Sequence, residues 1–250
     1  MSIQACAELV HRGDPDRFLA TMTAPLAARE ILLPIYAFNL EVARAPWVTK
    51  EAMIAEMRLQ WWRDALEEIA TGTTVRRHEV ITPLAGVLDD EAARMLDGLV
   101  TARSWDIYSD AFEDQVAFEA HIEATSATLM WVAARALGAK QEKVFRAIGY
   151  ASGIASWFRA IPELENQGRK PLVDGRASAV AALAEGALAR LATVTTVEAA
   201  GRPAALAAWQ ARALLKQAAR EPARVAEGSL GISGFARHGS LMLARLRGRV

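Results

Sequence analysis

Asp106, Asp110 and Asp114 recur every fourth residue. On a continuous helix that spacing puts three carboxylates on one face, where hard oxygen ligands suit a cation such as Mg²⁺. The same series equally makes a solvated helix face or an acidic N-terminal turn, so its spacing alone assigns no chemistry. Other catalytic signatures are missing: the sequence has no Gly-x-Gly-x-x-Gly, no Walker loop, no His-Glu-x-x-His and no Gly-x-Ser-x-Gly. Ser152, within Gly149-Tyr-Ala-Ser-Gly153, stands one residue out of register for a nucleophile elbow. It reads instead as a small residue that allows close helix packing. His121 and His238 have no partner at metal-ligand spacing, and Cys6, the single cysteine, has none for an internal disulfide. A reducing compartment fits that usage.

Two longer blocks say more. Tyr36-Ala-Phe-Asn-Leu-Glu-Val-Ala-Arg44 follows Arg17-Phe-Leu-Ala and Ala28-Arg29, and leads into Met57-Arg-Leu-Gln-Trp-Trp-Arg-Asp-Ala-Leu66. The second block is Gly149-Tyr-Ala-Ser-Gly-Ile-Ala-Ser-Trp-Phe-Arg-Ala-Ile-Pro-Glu-Leu-Glu-Asn-Gln-Gly-Arg169. From about Arg17 to Val173 the chain resembles the squalene/phytoene synthase family. That resemblance implies two aspartate pairs, each at i and i+4 on facing helices. They hold Mg²⁺ ions that neutralise a prenyl diphosphate as its pyrophosphate departs. Placed on the family pattern, the first pair falls on Ala43 and Trp47 and the second on Ala160 and Leu164, so no carboxylate stands at any of the four. Asn39 and Leu40 replace the usual Cys-Arg, while Arg159 and Gly168-Arg169 are retained. The segment Trp-Phe-Arg-Ala-Ile-Pro is similar to a degenerate branch of the family that includes a mitochondrial complex I assembly factor.

The elements that must position these residues read as helices throughout. Ala55, Leu59, Trp62, Leu66 and Ile69 recur at spacings of three and four, the stripe of a helix over Glu51–Ala70. Comparable patterns predict helices over Ala24–Leu40, Glu91–Ser104, Phe118–Leu137, Gln141–Ile161 and Ala177–Ala192. Pro203 suits the first turn of another helix, which Pro222 ends. Thr193–Val197 is β-branched but too short and isolated to found a sheet, and Gly168–Arg176 reads as a loop. The expected fold class is all-α: a single isoprenoid (terpenoid) synthase-like helical bundle over residues 1–250, with a basic amphipathic tail at 235–250.

Composition bounds the function classes. Over 250 residues, 52% hydrophobic and 23% charged residues suffice to bury a large core. With 29 basic and 29 acidic residues there is no global charge to draw nucleic acid. Met1–Asp14 lacks the pattern of a secretory signal, and charges interrupt every apolar stretch before membrane-spanning length. A cytoplasmic protein, soluble or peripheral to the inner membrane, is expected.

The family resemblance makes Tyr36, Phe38, Asn39, Arg159 and Arg169 the residues of a vestigial cavity or anion contact, with Arg159 otherwise paired to Glu163 one turn on. Tyr36, Phe38, Trp61, Trp62, Trp131, Trp157 and Phe158 line a cavity for an isoprenoid or acyl chain, or are plain core. Trp47 and Leu164 would fill or cap its mouth. The first expectation is a non-catalytic protein with no cofactor, whose partners are subunits of respiratory complex I. The alternatives are a head-to-head prenyl transferase using Mg²⁺ on a rearranged site of Asp106 and Asp110, and an isoprenoid- or lipid-binding protein. The tail, with Arg237, Arg245, Arg247 and Arg249 beside Leu241, Met242, Leu243 and Leu246, is either a membrane or partner contact or a last core helix.

Overall fold

The structure, a computed structural model, describes residues 3–108 and 110–247; of 235–238, 246 and 247 it describes the backbone alone. Among these residues fourteen α-helices follow in order: α1 Ile3–Gly13, α2 Pro15–Met22, α3 Leu26–Arg44, α4 Ala52–Thr71, α5 Ile81–Ala85, α6 Asp90–Ala102, α7 Gln115–Ile122, α8 Thr128–Ala136, α9 Glu142–Asn166, α10 Ala177–Ala192, α11 Arg202–Ala205, α12 Ala211–Arg220, α13 Ala223–Ala226 and α14 Gly234–Arg247. No strand occurs among the described residues, so the all-α expectation holds.

Local chemistry sets several boundaries. Asp14 caps α2 by accepting from the Arg17 amide with Pro15 in the first turn, and Asp89 caps α6 through the Ala92 amide. Gly72, at φ +68°, ends α4 in the left-handed region that a side chain resists. α1 and α2 escape the sequence reading because charges interleave their apolar positions. Packed on α3, α1 buries Cys6 and Val10, while α2 buries Ala20 against Leu206 and Trp209.

α9 is the spine. At 25 residues it runs about 37 Å, and it packs on α8, α10 and α12. Pro162 lies inside it, so the expected end at Ile161 is wrong: the helix continues to Asn166. A proline there costs about 3 kcal/mol by losing one backbone bond. The extra turn buries Leu164, at 8% exposure.

Where α9 meets the segment after α7, the helix Gln115–Ala136 is interrupted by a π turn, Glu123–Ala127. Here the sequence predicts one unbroken helix. Thr125 donates its hydroxyl to the His121 carbonyl at 2.7 Å and Thr128 to Glu123 at 3.1 Å, local bonds that compete with the regular ladder. The close approach is made by glycines rather than by Ser152. A Cβ at Gly149 would sit 2.6 Å from Met130 Cβ and 2.7 Å from the Ala127 Cα; one at Gly153 would sit 2.6 Å from Ser126 Cβ.

Gly149→Ala should therefore destabilise by about 1–3 kcal/mol through overpacking against backbone. Gly186→Ala, in α10 with open space around it, should stabilise by about 0.5–1 kcal/mol. Urea unfolding of both variants checks this, and equal effects of one sign would contradict it.

Candidate functional site

α3 ends at Arg44, because Pro46 lacks the amide to continue the ladder, and the chain tightens into a 3-10 turn at Ala45–Trp47. Ala43 and Trp47, four residues apart in sequence, are thus split between a helix and a turn. Across from them α9 presents Ala160 and Leu164. All four line one cavity of about 310 Å³, together with Gly153, Ser156, Trp157 and Glu163 of α9, Gln167 just past its end, Ile122, Thr125 and Ser126, and Arg103 and Asp106.

Two carboxylates reach this wall, and both are engaged. Asp106 is buried at 4% exposure and pairs with Arg103 at 3.3 Å. Burial holds its carboxyl above the usual range, with Arg103 and then Arg169 opposing. Glu163 accepts from the Gln167 side-chain amide at 2.7 Å. Among the described residues no three His, Cys, Asp or Glu side chains group to hold a metal. A Mg²⁺ cluster needs several free anionic oxygens, and this donor set does not fit one.

The Asp106, Asp110, Asp114 series does not form the single helical face its spacing suggests. Asp106 ends a 3-10 turn, Asp110 is exposed in irregular chain, and Asp114 caps α7 through the Ala117 amide at 2.7 Å. The capping preference of an aspartate broke the periodicity.

Of the residues expected at a cavity or anion contact, Tyr36, Phe38 and Asn39 are buried in α3 and stand outside the cavity lining. Arg17 lies over the Tyr36 ring at 5.0 Å, and burial pushes the phenol up to about 12. Phe38 meets Trp62 edge-on at 5.5 Å. Phe158 and Trp131 are core as well; Trp61 and Trp62 border a separate surface cleft with His78. Trp157 alone of that aromatic set lines the main cavity. Arg159 pairs with Asp16 of α2 at 3.3 Å, rather than with Glu163. It borders a second, more polar cavity of about 400 Å³ between α2, α9 and α12, where Ser152 also lies.

Arg169 has a role that its sequence neighbours did not reveal. Gly168, at φ +76°, lets the Arg169 amide return to the Leu164 carbonyl at 2.9 Å, a Schellman end to α9. The chain so reversed brings the guanidinium to the carbonyls of Trp105 (3.2 Å), Asp106 (2.6 Å) and Tyr108. The same group lies over the Trp47 ring at 4.8 Å. Arg169 thus ties the end of α9 to the 103–108 turn and to the indole at the cavity rim.

The matched family model is Squalene/phytoene synthase, over residues 10–174. The chain belongs to the squalene/phytoene synthase family. A dehydrosqualene synthase crystal structure superposes with a TM-score of 0.78 at 13% identity, covering 98% of this chain and 95% of that one, which establishes a shared fold. Among curated relatives, the NADH dehydrogenase (ubiquinone) complex I, assembly factor 6 of Homo sapiens is 27% identical over 161 residues, 63% of this chain and 48% of its own length. Its Drosophila melanogaster homolog is 29% identical over 167 residues, 63% and 50% of the two chains. The chain thus spans about half the length of the curated relatives it matches. No helix among its described residues is long and apolar enough to cross a membrane.

Behind the cavity of this family member lies His121, among Trp105, Phe112, Phe118 and Trp157, with ring centroids 5.3–5.7 Å away for Trp105, Phe112 and Trp157. Burial pushes its imidazole down from 6.5 to about 3, with the Arg103 cation adding to the shift. The folded state keeps His121 neutral where the unfolded chain takes up a proton. Its contribution is complete above pH 6.5 and is lost as pH falls toward about 3. His121→Phe should flatten the acid side of a melting-temperature profile across that window, the Asp106 titration being common to both proteins; parallel profiles would contradict the assignment.

Arg169→Lys keeps the charge but loses the planar fork. It should cost about 1.5–3 kcal/mol, nearly as much as Arg169→Ala. A lysine variant that melts like the parent in differential scanning calorimetry would show that the fork holds nothing.

Proposed function

We propose that this chain is a non-catalytic squalene/phytoene synthase-family protein that aids assembly of respiratory complex I through protein contacts. The observation that carries the reading is the composition of one wall. Ala43, Trp47, Ala160 and Leu164 border a common cavity, at the positions where the family pattern puts its metal-binding aspartates. Without those carboxylates a prenyl diphosphate would keep its charge, and such a reaction draws most of its acceleration from electrostatic stabilisation. The assembly-factor relatives support the same direction. So does the surface. Trp47 at the cavity rim, Val48 after it, and Met53, Ile54 and Met57 in the first turns of α4 are between 38% and 73% exposed. The same stretch of chain carries charges of both signs, Arg44, Lys50 and Arg58 with Glu41, Glu51 and Glu56, the balanced composition of a protein-binding border.

On this reading the protein works peripheral to the membrane that holds the complex and needs no Mg²⁺. Tagged protein should recover complex I subunits from cells, and deletion should lower the assembled complex on native gels. Recovery of none, with the complex intact after deletion, would refute the assembly role. The prenyl transferase alternative would need Asp106 and Asp110 to act together. Asp106 is tied to Arg103 and Asp110 is exposed and outside the cavity lining. Pyrophosphate release from farnesyl or geranylgeranyl diphosphate with Mg²⁺ would restore that alternative.

A second reading rests on the cavity itself, which is large enough for part of an acyl or isoprenoid chain. Native mass spectrometry then finds a co-purified apolar ligand, and its absence counts against a lipid-binding role.

A further inference from the structure

After Glu227 the sequence carries no acidic residue through Val250, while Arg237, Arg245, Arg247 and Arg249 fall in that stretch. Most of it is α14, Gly234–Arg247. The side chains of Phe235, Arg237, His238, Leu246 and Arg247 and all of 248–250 lie outside the described residues, so the geometry rests on the middle of the helix. There Leu241 and, partly, Ala244 face inward. Leu241, at 3% exposure, packs with Ala20, Leu206 and Trp209 in a small cluster separate from the main core. Met242 and Leu243 stay 66% and 48% exposed, and Arg245 is exposed beside them. Among the described side chains of the helix, Leu241 and Ala244 pack on the domain, leaving two large apolar side chains turned to solvent within a purely basic segment.

That combination differs from the patch around Trp47 and Met53, whose border carries both signs. An outward apolar pair on a helix with only positive charges matches a surface that is apolar below and anionic above. We infer that α14 is a membrane-contacting helix. Met242 and Leu243 enter the headgroup boundary of a bilayer, and Arg245 meets anionic lipid headgroups, while Leu241 and Ala244 keep the helix on the domain. The inference rests on the assembly reading only for its setting at a membrane.

The test uses purified full-length protein and vesicles. It therefore gives its answer whether or not a complex I subunit is ever recovered. The parent should co-sediment with phosphatidylcholine vesicles containing about a third phosphatidylglycerol at least about tenfold more tightly than with phosphatidylcholine alone, and added salt should weaken it. Met242→Asp combined with Leu243→Asp should abolish that binding with an unchanged melting temperature, because both side chains are exposed. Arg245→Glu should weaken it and keep the fold. No sedimentation with anionic vesicles, equal binding to both vesicle types, or a double variant that binds like the parent would each overturn the inference. So would capture of an acidic protein by α14 from a mixture in which the vesicles stay unbound.

Discussion

α9 can lie against the π turn only because Gly149 and Gly153 carry no side chains. The gap they leave is narrower than a Cβ contact allows, and four neighbours, Met130, Ala127, Ser126 and Ile122, already fill it. Everything around the main cavity follows from that contact. It fixes the depth at which Ser156, Ala160 and Leu164 face Ala43 and Trp47, and brings Thr125 and Ser126 of the π turn into the same wall. π turns within helices often mark functional sites, and here the turn borders a cavity lined from both family sequence blocks, by Ala43 of the first and by Gly153 to Leu164 of the second.

Within that frame the charges are satisfied by one another and leave little for a ligand's phosphate. Asp106 answers Arg103, Arg159 answers Asp16, and Arg169 spends its donors on backbone carbonyls. The sequence pattern retained from a diphosphate-binding family, Gly168-Arg169, serves here to end a helix and clamp a turn. Trp47, stacked beneath that guanidinium and 40% exposed, covers part of the rim. On the proposed reading, the positions where the family pattern sets metal ligands make a partly apolar surface instead, the kind of feature that binds a protein.

How much of this was legible in the sequence depends on the kind of interaction. Amphipathic periodicity marked α4 through Leu59, Trp62 and Leu66, and gave α10 its bounds, because each helix buries one stripe. Pro162 misled, since the burial of Leu164 outweighed a single lost backbone bond. Spacing also misled for Asp106, Asp110 and Asp114, since Asp114 is engaged by a helix terminus. The family pattern sets Ala43, Trp47, Ala160 and Leu164 on two facing helices; the four line one cavity, with Trp47 in a 3-10 turn beyond the end of α3. The partners of Arg169 were hidden because backbone carbonyls have no residue type, and the π turn because Thr125 and Thr128 look like ordinary helix residues. Tyr36, Phe38 and Asn39 were placed at the cavity by analogy, whereas burial puts them in the core.

On the proposed reading the wall between α3 and α9 no longer makes a metal–diphosphate site, and equilibrium binding tests this without any need for turnover. Isothermal titration of the full-length protein with pyrophosphate, in the presence and absence of Mg²⁺, reads the cage directly. No Mg²⁺-dependent binding is expected at concentrations where a member bearing both aspartate pairs is saturated. Tight, Mg²⁺-dependent uptake that is lost on Asp106→Asn would contradict the proposal.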